Sequence, residues 1–113
     1  MKEQLPGKVQ QLLAALFSDK GRTSLALRQS VEAYGEASAG INRTPGTIPT
    51  NLTNYLDKVT RTAYKVTDKD IAYLKEAGYA EDEIFEITLS VAVGAGLGRM
   101  KQGMMALRGV EKE

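Results

Sequence analysis

The chain reads as an all-α domain, a bundle of about five helices in 113 residues. Three observations predict this. Apolar side chains recur at spacings of three and four along most of the length, the period of a helix face, and no run reads as a strand. Aromatic residues are scarce, with five Tyr, two Phe and no Trp, so Leu, Ile, Val, Ala and Met must form the core, which suits helices packed closely on helices. Finally, the C-terminal third carries small residues four apart, Gly94 with Gly98 and Ala92 with Gly96, which let a second backbone come close. A single domain of this size buries roughly two-thirds of its unfolded surface.

Taken in order, the first helix is expected over about residues 7–18, with Val9, Leu12, Leu13, Leu16 and Phe17 on one stripe; Asp19-Lys20-Gly21 breaks it. A second runs over about 24–38, where Leu27, Val31 and Tyr34 recur, and Ala39-Gly40 ends it. Residues 41–49 form a loop, because Pro45-Gly46 marks a turn and Pro49 pushes the residue before it to extended geometry. The third helix is expected over about 50–65, with Leu52, Tyr55, Leu56, Val59, Ala63 and Val66 in phase.

The fourth helix has the best-specified ends. Thr67 is its N-cap and Asp70 the acidic third residue of a capping box, with Val66 and Ile71 at the staple positions. Gly78 fits the left-handed position after the last turn, which brings Tyr79 onto Leu74 and sets the angle to the next helix. That fifth helix starts near Glu81 and runs to about Leu107, roughly 40 Å at 1.5 Å per residue. Its acidic first turn and Arg108 at the far end complement the helix dipole. Over residues 87–98 apolar or small residues cover every side, a pattern expected of a helix buried all round. One short chain has difficulty shielding such a segment, so the reading is a homo-oligomer.

Composition removes several functions. With no Cys and no His there is no thiol redox centre, no disulfide framework and no thiolate or imidazole metal site. Fifteen basic residues against fourteen acidic ones, interspersed along the chain, argue against nucleic-acid binding. The longest uncharged apolar run is twelve residues, whereas a membrane span needs about 20. No apolar leader core appears in Met1-Lys2-Glu3-Gln4-Leu5-Pro6, so the expected location is cytoplasmic, with no membrane partner and no cofactor.

The stretch Tyr64-Lys-Val-Thr-Asp-Lys-Asp-Ile-Ala-Tyr-Leu-Lys-Glu-Ala-Gly-Tyr-Ala-Glu-Asp-Glu-Ile-Phe-Glu86 resembles the carboxymuconolactone decarboxylase and alkylhydroperoxidase-D-like (AhpD-like) family. It shares that family's capped helix, Ala-Gly turn, acidic helix start and small-residue helix ending near an arginine, here Arg99; the likeness spans about residues 48–109. The resemblance implies packed helical hairpins assembled as trimers or hexamers. Redox members of the family carry Cys-x-x-Cys-x-x-x-His before the turn, at positions that fall here on Ala63, Val66 and Asp70. This chain therefore departs from the family at its reactive residues, and thiol-based peroxide reduction is excluded.

Three residues remain candidates for chemistry. Glu86 enters its helix just before the apolar stretch, where burial is expected to raise its pKa toward an acid/base value; the plainer role is an ion pair or a wet helix end. Arg99 suits a small carboxylate, or equally an ion pair between subunits. Tyr64 is placed with Tyr73 and Tyr79 near the fourth helix's cap, as a proton donor or, more simply, a packing residue. Asp68 and Asp70 read as helix-start residues. The segment Gly94-Ala-Gly-Leu-Gly98 follows no strand and lacks phosphate-loop spacing, so it reads as helix packing. Met100, Met104 and Met105 read as adaptable core filler or an oligomer seam.

Three functions follow. The leading one is a cysteine-free, homo-oligomeric member of the family's fold without redox activity. A rival is a decarboxylase-like enzyme on a small carboxylated ring compound, with Glu86 as acid/base, Arg99 as anchor and Tyr64 as proton donor. The third is a helical module that packs on a cysteine-bearing partner.

Overall fold

The described residues form five α-helices in the computed structural model: α1 (Gly7–Leu16), α2 (Leu25–Ser38), α3 (Thr50–Arg61), α4 (Asp68–Glu76) and α5 (Glu81–Lys112), with a 3-10 turn at Ala63–Lys65. Residues 7–18 and 20–112 are described, and no strand occurs among them. The 1–6 segment and Asp19, used above for the leader and the first helix break, lie outside that description, as does the side chain of Leu12.

Helix ends follow the local chemistry. The Ser24 hydroxyl accepts the Leu27 N–H at 3.1 Å and caps α2. In α4 the Asp70 carboxylate reaches back to the Thr67 N–H at 2.9 Å, the expected capping-box arm. Gly78 has φ +107°, and the Tyr79 N–H closes onto the Leu74 carbonyl at 3.1 Å, as a helix end of this type requires. At the start of α5, Glu83 reaches back to the Ala80 N–H at 2.8 Å.

The expected third helix is cut short. Thr62 leaves helical geometry with φ −143° and ψ 56°, and residues 63–65 form one tighter turn. The chain must be extended at Val66 and Thr67 to enter the α4 cap, and that demand reaches back into the last turn. Periodicity gives no warning, because Ala63 and Val66 stay in phase with the helix before them.

The core gathers Val31 of α2, Leu52, Tyr55 and Leu56 of α3, Leu74 of α4, and Ile84, Ile87 and Val91 of α5. Each buried aliphatic side chain contributes about 1.5–3 kcal/mol. Helices α2 and α5 meet at backbone contact. A Cβ on Gly35 would lie 2.5 Å from the Val91 carbonyl oxygen, and one on Gly94 would lie 2.0 Å from that of Glu32. On Gly98 it would meet the Ala39 Cβ at 2.7 Å.

The expectation is that 87–98 is buried on every side and that one short chain has difficulty shielding it alone. Its own chain covers one side: Ile87, Ser90, Val91, Gly94, Ala95 and Gly98 are buried, whereas Ala92 and Gly96 are exposed. Of the two small-residue pairs, α2 uses Gly94 and Gly98. The other pair faces outward. None of the described helices is long and apolar enough to cross a membrane.

Candidate functional site

Glu86 lies in the second turn of α5, opposite the loop that leads into α2. Its carboxylate accepts the Arg22 N–H at 2.8 Å, the Thr23 N–H at 2.9 Å and the Thr23 hydroxyl at 2.7 Å. Burial pushes the carboxyl up, but these main-chain and hydroxyl donors, with the nearby Arg28 charge, hold it below the ordinary glutamate range. The expected upward shift is thus reversed, because the residue faces a row of N–H groups instead of apolar walls.

Arg28 reaches the same place from α2. The residue is 2% exposed, and its guanidinium donates to the carbonyls of Leu16 and Thr23. Among the described residues its Nε has no hydrogen-bond partner. A Cβ on Gly21 would lie 2.8 Å from the Arg28 Cζ and 3.0 Å from a Glu86 carboxylate oxygen, so both charged ends converge on this glycine. Beside them is a cavity of about 320 Å³, with Ala15, Leu16 and Leu89 on its apolar side and Ser18, Lys20, Arg28 and Glu86 on its polar side.

The other candidates lie elsewhere. Arg99 donates to the Thr60 carbonyl at 3.1 Å, in the last turn of α3, where helix carbonyls lack partners of their own. It is thirteen residues beyond Glu86, about 20 Å along the helix. Tyr64 is 82% exposed in the 3-10 turn, with the Lys65 ammonium 6.0 Å from its ring centre. Neither lines the cavity beside Glu86. Tyr73 is exposed, and Tyr79 donates to Asn51 at 2.9 Å. Of the positions aligned with the family's reactive residues, Ala63 is exposed and Val66 half-buried. Asp70 accepts the Lys58 ammonium at 2.8 Å, which lowers its pKa. Among the described residues no group of three or more acidic side chains is placed to hold a metal.

A second charged cluster escaped the reading of the sequence. Glu32 and Glu36, both buried on α2, share the Arg43 guanidinium at 2.5 Å each, and Lys101 of α5 meets Glu36 at 2.5 Å. One Glu32 oxygen has no partner among the described residues. Burial, then the neighbouring Glu36, pushes the Glu32 carboxyl up to about 7. Burial pushes the Glu36 carboxyl up, but hydrogen bonds with Glu32, then Lys101 and Arg43, outweigh it and hold the group below the ordinary range. The available signal was spacing: Arg28, Glu32 and Glu36 repeat every four residues beside Val31 and Gly35, so charges share an edge with the core stripe.

Compared with protein-family models, curated proteins and solved structures, the chain matches none.

Proposed function

We propose that this chain is a self-assembling helical protein of the alkylhydroperoxidase-D-like kind, without a thiol centre, whose working surface is the outer face of α5. One observation supports the reading above the others. Phe85 and Leu107, 65% and 66% exposed, bracket a stripe that continues through half-buried Leu89 and Met100 and exposed Ala92 and Gly96. A continuous apolar stripe of this length on a small domain marks an association surface. The resemblance points to three or six copies. Light scattering on the purified chain tests this: the expected mass is a multiple of 12.3 kDa, and Leu107→Glu is expected to reduce it while leaving the helical circular-dichroism signal intact. A single-chain mass for the wild type at about 100 μM, far above the dissociation constants of specific assemblies, overturns the reading.

The cavity beside Arg28 favours a second reading, an enzyme or binder for a small ring carboxylate. Its guanidinium, and not that of Arg99, is the anchor in this version, since Arg28 lines the cavity beside Glu86 and Arg99 does not. Glu86, held ionised, serves as a hydrogen-bond acceptor and is unsuited to donate a proton. Calorimetric titration of benzoate is expected to show saturable binding near neutral pH; no heat at millimolar ligand removes this reading.

A further inference from the structure

We infer that the cavity beside Arg28 takes a single-ring monocarboxylate that also carries a hydroxyl group. The carboxylate lies toward Arg28 and Lys20, and the hydroxyl donates to Glu86. The inference rests on the carboxylate-binding reading above and names the second group that its ligand carries.

The cavity wall carries both signs of charge. Among its described residues Arg28 and Lys20 are cations and Glu86 is an anion. Arg28 is buried, and its described hydrogen bonds go to two neutral carbonyls, those of Leu16 and Thr23. Arginine holds a carboxylate more strongly than it holds a neutral carbonyl, and can do so with two parallel bonds. Lys20, an exposed residue, adds a second positive charge to the same wall. Both Arg28 Cζ and a Glu86 oxygen lie within 3.0 Å of the point that a Cβ on Gly21 would take. The cationic and anionic groups are therefore close enough for one small molecule to span them.

Glu86 sets the other requirement. Its Oε1 accepts two donors, the N–H and the hydroxyl of Thr23, and its Oε2 accepts one, the Arg22 N–H. An ionised carboxylate has room for about four. One acceptor position on Oε2 is therefore left. The same donors and the Arg28 charge hold the group below the ordinary glutamate range, so it is ionised at neutral pH. A second ligand carboxylate placed beside it meets repulsion, and a methyl or ether group leaves the acceptor without a donor. A hydroxyl supplies one. The ring itself has an apolar wall to lie against, made of Ala15, Leu16 and Leu89. A volume of about 320 Å³ is at the small end for a ligand cavity and suits one ring.

Calorimetric titration at pH 7 with benzoate, the 2-, 3- and 4-hydroxybenzoates and their methoxy counterparts tests this. At least one hydroxybenzoate is expected to bind about tenfold or more tighter than benzoate, the gain from a hydrogen bond to a charged group. Its methoxy counterpart, which has no donor, is expected to lose that gain. Lys20→Met, a change to an exposed side chain, is expected to weaken benzoate and the preferred hydroxybenzoate alike. Glu86→Gln is expected to remove the preference while benzoate still binds. Circular dichroism confirms that each variant is folded, and the wild-type ligand series decides the matter without them. If benzoate binds as tightly as every hydroxybenzoate, the inference is overturned and the carboxylate-binding reading stands. A methoxy compound that matches its hydroxybenzoate, or a preference that persists in folded Glu86→Gln, also overturns it. If no compound gives heat at millimolar concentration, both fall.

Discussion

Gly94 and Gly96 are two residues apart on one helix and face opposite surroundings. A methyl on Gly94 would enter the Glu32 carbonyl of α2, whereas on Gly96 it would meet open space. Gly94→Ala is therefore expected to lower the unfolding free energy by about 1–3 kcal/mol or more, as overpacking does. In samples too dilute to assemble, Gly96→Ala is expected to raise it by about 0.8–1 kcal/mol through helix propensity. Urea midpoints of the two variants check this, and equal shifts in one direction would contradict it. The sequence displayed both four-residue pairs of small residues. Which pair faced inward was illegible, because it depends on Gly35 of a distant helix. Glu86 illustrates the same limit: its place before the apolar stretch was visible, but the Arg22 and Thr23 N–H donors come from 64 and 63 residues away. Glu86→Gln is expected to cost about 1.5–3 kcal/mol at neutral pH, the range for hydrogen bonds to a charged group. With its folded pKa lowered, that contribution is present above the ordinary value of 4.5 and is lost as pH falls through the folded pKa. Denaturation at pH 7 and pH 3 should show the gap between variant and wild type closing in acid.

At the scale of elements, α2 carries the least expected feature, its buried acidic pair. Glu32, shifted from 4.5 to about 7, holds its proton in the folded chain through a range where the unfolded chain has released it. Stability therefore falls as pH rises from about 4.5 to 7, on the order of 3 kcal/mol from this group. Glu36 has the opposite sign and acts below that window. Glu32→Gln is expected to flatten the dependence between pH 5 and 8, measured by chemical denaturation; an unchanged slope would contradict the account. Helix boundaries were legible where side chains write them, as with Thr67, Asp70 and Gly78 around α4. The end of α3 was not, since it is set by the extended entry to the next cap. Helix α5 also runs past Leu107 to Lys112, because Gly109 weakens a helix without stopping it.

The whole molecule measures 53 × 29 × 23 Å, and its long dimension matches α5, whose 32 residues span about 48 Å. Five helices in one chain could be read from periodicity, caps and breakers. Their assembly could not, because beside the apolar contact of Val31 with Ile87 and Val91 the α2–α5 crossing depends on glycines at backbone contact and a buried Glu36–Lys101 pair. The candidate site was less legible still. Glu86 was found, but its companion Arg28 was passed over, and Arg99 and Tyr64 lie apart from it. The short chain proves able to shield one side of α5, and the other side carries the proposal of self-assembly. Sedimentation equilibrium over a hundredfold range of concentration measures that most directly. The account predicts a mass that climbs from 12.3 kDa toward at least twice that value, and a smaller rise for Leu107→Glu at the same concentrations. A folded wild-type chain that stays at 12.3 kDa throughout would contradict it.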